Sequence, residues 1–142
     1  MANPGELDEV ARYRYVSFTT YRRTGEPVST PVWLARDGEL VSFISDDGTG
    51  KIKRLARDPR VSLRPCSMRG EVAPGAPTHT GTATVHRDAA TIARVRAAIG
   101  RKYPEGRVGN AVLGLLARVG VGGRPRAAVV VTIGPWPAGT TG

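Results

Sequence analysis

Apolar and polar positions alternate through RYVSFTTYRR (14–23), with β-branched and aromatic residues throughout, the period-two signature of a strand. The preceding ELDEVARY (6–13) instead sets Leu7, Val10 and Ala11 on one face of a short helix. After a turn at Thr24-Gly25-Glu26, PVSTPVWLA (27–35) predicts a second strand. Its prolines at 27 and 31 remove two ladder donors, so it belongs at an edge or carries a bulge. Arg36-Asp37-Gly38-Glu39 contains the Asp-Gly pair favoured in tight hairpins, and LVSFIS (40–45) returns as a third strand, which makes a three-stranded meander.

The period then switches to that of a helix. TGKIKRLARD (49–58) spaces Ile52 and Leu55 helically, with Thr49 as N-cap and Pro59 as the stop. RVSLRPC (60–66) and THTGTATVHR (78–87) predict a fourth and a fifth strand around the Gly/Pro-rich surface loop GEVAPGAPTH (70–79). Asp88 caps a second helix carrying Ile92, Val95 and Ile99, and VGNAVLGLLARV (108–119) is a third apolar segment. RAAVVVTIG (126–134) is nearly continuous in apolar residues, hence a strand buried on both faces. Residues 1–5 and 135–142 (PWPAGTTG) are expected to be mobile. Six strands, mostly joined by short turns, predict one mainly β domain over 1–142, a closed or partly closed antiparallel barrel.

Length and charge narrow the classes. The 142 residues suit one domain with its own core. No apolar run approaches the roughly 20 residues of a membrane helix, and MANPGELDEV has no secretory pattern, so a cytoplasmic protein is expected. Cys66 is the one cysteine, which excludes an intrachain disulfide and a Cys-rich zinc site. Lys plus Arg number 21 against 12 acids, a net +9, which favours anionic partners.

One segment focuses that charge. In Asp46-Asp47-Gly48-Thr49-Gly50-Lys51-Ile52-Lys53-Arg54 a glycine-flanked turn opens a helix, where free backbone N–H groups and the helix dipole attract anions. Cations in that first turn oppose the dipole, each by about 0.3–1 kcal/mol, and a bound anion would remove the conflict. The pattern is not a Walker A loop: Ser45 stands where its first glycine would be and Ile52 where its Ser/Thr would be. A solvated basic helix face is the bland alternative.

Other chemistry is sparse. His79 and His86 lack carboxylates at ligand spacing and are expected on the barrel surface, so no metal site is expected. Cys66 reads as a structural thiol, and Asp46 and Asp47 as a solvated loop. In Ser29-Thr30-Pro31-Val32-Trp33, Pro31 interrupts the ladder where a flat ligand could approach, and Trp33 suits either stacking on it or the core. Tyr13, Tyr15, Phe18 and Tyr21 interleave with Arg12, Arg14, Arg22 and Arg23 as in single-strand-binding barrels. Strand period sets Phe18 on the opposite face from the tyrosines, which argues against nucleic acid.

PVSTPVW (27–33), RDGELVSF (36–43), TGKIKRLARDPRV (49–61) and RPC-x-x-RG (64–70) together resemble the pyridoxamine-phosphate-oxidase-like split β-barrels, and within them the actinobacterial subgroup that uses the deazaflavin coenzyme F420. The resemblance runs from about residue 10 to 134. It implies a six-stranded split barrel and a homodimer with the cofactor at the subunit interface. It implies further that Lys51, with Thr49, Gly50 and Lys53 or Arg54, holds the cofactor phosphate. Ser29, Pro31, Val32 and Trp33 would line the ring, with Ser45 at the end of the adjacent strand. The implied activity is an oxidoreductase passing hydride between F420 and a small unsaturated substrate, with an FMN protein as the alternative. The sequence names no catalytic acid. It also lacks the C-terminal Arg/His motif of vitamin B6 oxidation.

Overall fold

The computed structural model describes residues 4–103 and 125–137. Helix α1 (Pro4–Arg12) leads into β1 (Val16–Tyr21) and β2 (Pro27–Val32). The hairpin β3 (Ala35–Asp37) and β4 (Leu40–Asp46) follows, then α2 (Gly50–Arg57) and β5 (Arg60–Pro65). The remaining elements are β6 (His79–His86), α3 (Ala89–Lys102) and β7 (Arg126–Ile133). All seven strands form one antiparallel sheet in the order β2-β1-β5-β6-β7-β4-β3. The architecture is the expected mainly β split barrel, with seven strands in place of six.

The extra strand comes from a break in 27–35. Two residues, Trp33 and Leu34, separate β2 from β3, yet these strands are the opposite edges of the sheet. So short a link forces the sheet to curl until its edges meet at that end. The expected meander is therefore two hairpins, β1–β2 and β3–β4, facing each other across the split. Side chains from the end of α3 satisfy the corner. The Leu34 amide donates to the Tyr103 hydroxyl at 3.3 Å, and the Leu34 carbonyl accepts from Lys102 Nζ at 2.6 Å. The Tyr103 hydroxyl donates to the Arg14 carbonyl at 2.7 Å. Trp33 stacks on the Tyr103 ring, with centroids 4.6 Å apart and planes 9° apart.

Register sorts the strand residues onto two faces. The inner face carries Val16, Phe18, Val61, Leu63, Ala83, Val129, Val131, Val41 and Phe43, all buried. Phe18 meets Phe43 edge to face at 4.8 Å. Leu7 and Val10 of α1, and Ile52 and Leu55 of α2, complete this core. Such burial supplies roughly 1.5–3 kcal/mol per large apolar side chain, before conformational entropy offsets it. Helix α3 packs on β3, β4 and β7, and Asp88 caps it as expected, accepting from the Thr91 amide at 3.0 Å. Between β6 and β7 the backbones approach so closely that a Cβ on Gly81 would lie 2.6 Å from the Thr132 carbonyl oxygen.

Three details differ from expectation. His79 is buried, not on the surface. Its Nδ1 lies 3.0 Å from Glu6, and its Nε2 lies 2.8 Å from the Tyr13 hydroxyl and 3.1 Å from Glu9, tying α1 to β6. Trp136, expected in a loose tail, donates from Nε1 to the Val61 carbonyl at 3.0 Å and packs edge-on against Tyr21. Segment 70–79 lacks regular structure up to Thr78, but His79 already pairs with Leu63. The predicted apolar segment 108–119 and residues 138–142 lie outside the described residues, and no described helix is long and apolar enough to cross a membrane.

Candidate functional site

The turn from β4 into α2 is held by its acids, each bound to a cation. Asp46 pairs with Arg126 at 3.0 Å, and Asp47 takes Arg87 in a two-point contact at 2.7 and 3.1 Å. That contact holds the Asp47 carboxyl below its usual range. Gly48, at φ 90°, makes the reversal that a residue with a Cβ resists. Both acids are thus committed to fixing the loop, with Asp46 still close enough to act on Lys51.

Thr49 occupies the N-cap position with extended backbone, but its hydroxyl does not cap the helix. It lies 3.3 Å from the Ser45 hydroxyl instead. No acid stands in the first turn, which carries Lys51 and Lys53. Lys51 is half-buried, and burial pulls its ammonium below the ordinary lysine range, with Asp46 opposing the shift and Arg54 adding to it. Lys53 is exposed. Arg54 folds back so far that a Cβ on Gly50 would lie 2.6 Å from its Nη1, and its Nε donates to the buried Thr20 hydroxyl at 2.6 Å.

The next basic residue on the same face, Arg57, donates to the Tyr21 carbonyl at 3.0 Å, and Arg22 follows in the chain. Burial, then the charges of Arg22 and Arg57, lower Arg54's affinity for its proton, though a guanidinium stays charged. Two hydroxyls, an uncapped helix start, a half-buried ammonium and crowded guanidinium groups are what an oxyanion needs. The residues fit a phosphate-bearing cofactor.

The second group of expected residues lies on β2. Ser29 and Pro31 are exposed on the outer face, and the Ser29 hydroxyl lies 2.6 Å from that of Thr19 on β1. Val32 belongs to the opposite face, half-buried beside Val16. Trp33 sits at the corner, about 13 Å along the chain from Ser29 at strand spacing, with one ring face covered by Tyr103. Within one chain, then, the structure gathers Ser45, Thr49, Gly50, Lys51 and Arg54 at the start of α2, with Arg54 reaching the inner side of β1. Ser29 and Pro31 lie on its outer side. The two groups do not share a face.

Sequence reasoning missed Thr19, Thr20, Arg22 and Arg57 as neighbours of these groups. Arg57 follows Arg54 by three positions, one helical turn, which was the available signal. The threonines carry none, because their role depends on which element crosses them. Cys66 is half-buried, and burial pushes its thiol up, so it is a weak nucleophile. His86 is half-buried, its Nε2 2.8 Å from the Thr84 hydroxyl. Among the described residues no three His, Cys, Asp or Glu side chains group as metal ligands.

Comparison with known proteins supports the architecture. Solved structures of similar fold include an F420 reductase, 18% identical with a TM-score of 0.58, covering 95% of this chain and 97% of its own. HutZ, the heme storage protein of Vibrio cholerae, is 17% identical with a TM-score of 0.63, covering 96% and 93%. The conserved hypothetical protein Rv2991 of Mycobacterium tuberculosis is 20% identical with a TM-score of 0.64, covering 92% and 79%. No curated protein matches. The model of the pyridoxamine 5'-phosphate oxidase family matches residues 5–134, nearly the whole of the barrel just described, and the chain belongs to that family.

Proposed function

We propose that the protein is an F420-dependent reductase of a small unsaturated substrate, working as a homodimer. The observation that carries this reading is the cationic start of α2. Lys51, Ser45 and Thr49 suit a phosphate, and Arg22, Arg54 and Arg57 add positive charge beyond what one phosphate requires. That surplus favours a cofactor with an acidic tail over FMN. FMN stays the second reading, because the family match is to a flavin-type oxidase and a phosphate alone would satisfy Lys51.

When bound, the deazaflavin supplies a hydride donor. The chain's own part is to hold and orient. Lys51 and the α2 backbone amides fix the phosphate, and Thr49, bonded to Ser45, offers a hydroxyl beside it. Ser29 and Pro31 present a flat edge where the proline has removed a ladder donor, leaving room for a ring against the backbone. Holding the reacting atoms about 3–3.5 Å apart is the main contribution such a site can make. Because the two residue groups lie on opposite faces of the sheet, two copies of the chain, each giving one group, would complete a site. This supports the interfacial placement.

The test is a fluorescence titration with F420 and with FMN, on the wild type and on Lys51→Ala. Tighter F420 binding, weakened at least tenfold (about 1.4 kcal/mol) by Lys51→Ala, is expected. An unchanged Kd in the variant, or FMN binding more tightly than F420, would overturn the assignment.

A further inference from the structure

Arg64, near the end of β5, stands out on the outer face. It pairs with Ser17 of β1, which pairs in turn with Pro31 of β2, so the three residues form one row across the open face. The loop after β5 wraps this row. The Cys66 amide donates to the Tyr15 carbonyl at 3.0 Å, and the Ser67 hydroxyl accepts from the amides of Arg69 and Glu71 at 3.2 and 3.1 Å. A Cβ on Gly70 would lie 3.5 Å from the Pro31 ring. Farther along, the Ala76 carbonyl accepts from Arg64 Nη2 at 2.9 Å. This one contact sets the guanidinium plane.

Among the described residues the rest of the group has no partner. Arg64 Nε is shielded from solvent and has no hydrogen bond, and no described carboxylate pairs with the guanidinium. A guanidinium has five N–H donors in a planar fork, so Nε, the donor left unpaired, and a free N–H of an Nη are the pair an oxyanion would engage on displacing the atoms that shield Nε. A shielded donor left unpaired is unfavourable, and an oxyanion would satisfy it. Neighbouring strand residues on the outer face are hydroxyls, Ser17, Thr19 and Ser62, and the acid of the wrapping loop, Glu71, is exposed.

We infer that Arg64 is an anion anchor, taking a carboxylate or phosphate group of a small molecule on the outer face beside Pro31. The anion site stands without the cofactor; naming the anchored molecule as the substrate, and hence an anionic one, rests on the reading proposed above.

The experiment uses the cofactor-free protein labelled with 15N. Its shielded Nε–Hε exchanges slowly, so Arg64 gives a cross-peak, assigned by its loss in Arg64→Lys. Titration with inorganic phosphate, and separately with acetate, is expected to move that peak saturably with a low-millimolar midpoint. Sodium chloride at equal ionic strength is expected not to move it. The phosphate midpoint should be the same in Lys51→Ala, which separates this site from the α2 site. A peak that does not move, or that drifts without saturating, would overturn the inference. So would a dimer that dissociates in Arg64→Gln, since a carboxylate of a second copy would then be the occupant.

Discussion

Tyr103→Phe tests the corner that joins the two edges of the barrel. The ring is 1% exposed, so the substitution keeps the stacking on Trp33 and removes one oxygen. The Leu34 amide and the Arg14 carbonyl then lose a partner. The Leu34 carbonyl keeps Lys102. An orphaned buried amide costs about 1–3 kcal/mol, so about 2 kcal/mol is expected for the change. Unfolding entropy of about 2.1 cal/mol/K per residue gives roughly 0.3 kcal/mol/K for a chain of 142 residues, which converts the loss to a fall in Tm of about 7 °C. Thermal unfolding by circular dichroism at fixed protein concentration measures it, with Tyr103→Leu, which also removes the stack, expected to fall further. A fall of less than about 2 °C would mean that water or a local shift satisfies the Leu34 amide, and that the hydroxyl does not hold the corner.

The remaining predictions concern packing, pH and assembly. Gly81→Ala forces a Cβ against the Thr132 carbonyl, and overpacking of this kind costs about 1–3 kcal/mol, read as a lower denaturant midpoint with an unchanged slope. The hydrogen bonds from Arg60 hold the Asp58 carboxyl below its usual 3.8. A depressed folded pKa gives stability that is present above the unfolded value and lost as pH falls through the folded one. The Asp58 share of stability should therefore be complete above about pH 5 and decline below pH 4, and Asp58→Asn should flatten that acid limb in a Tm-against-pH series. If the proposed dimer shares its cofactor site, dilution that separates the copies should release the cofactor in parallel, followed by light scattering and cofactor fluorescence; monomers that bind with full affinity would refute a shared site.

Much of the strand pattern was legible because the inner face of the sheet takes apolar residues throughout and because, at β7, helix α3 buries the outer face as well. The alternation in 14–23, the apolar run 126–134 and the Asp88 cap all rest on interactions within a few residues. The cationic helix start was legible for the same reason, since Thr49 to Arg54 are consecutive. His79 was misjudged because its partners, Glu6, Glu9 and Tyr13, lie about seventy positions away and meet it through folding alone.

By itself, then, the sequence determined the period of each element, the place of the cationic turn and the excess of positive charge, all of which are set by neighbours in the chain. Only the tertiary structure decided that PVSTPVWLA breaks at Trp33-Leu34. The break is stable because Lys102 and Tyr103, nearly seventy residues later, satisfy the backbone groups freed there. The same curl separates Ser29 and Pro31 from Lys51, while the registers of β1 with β2 and β5 line Arg64 up with Ser17 and Pro31. Which side chains share a face follows from strand order and register, and those are fixed by the packing of the whole barrel.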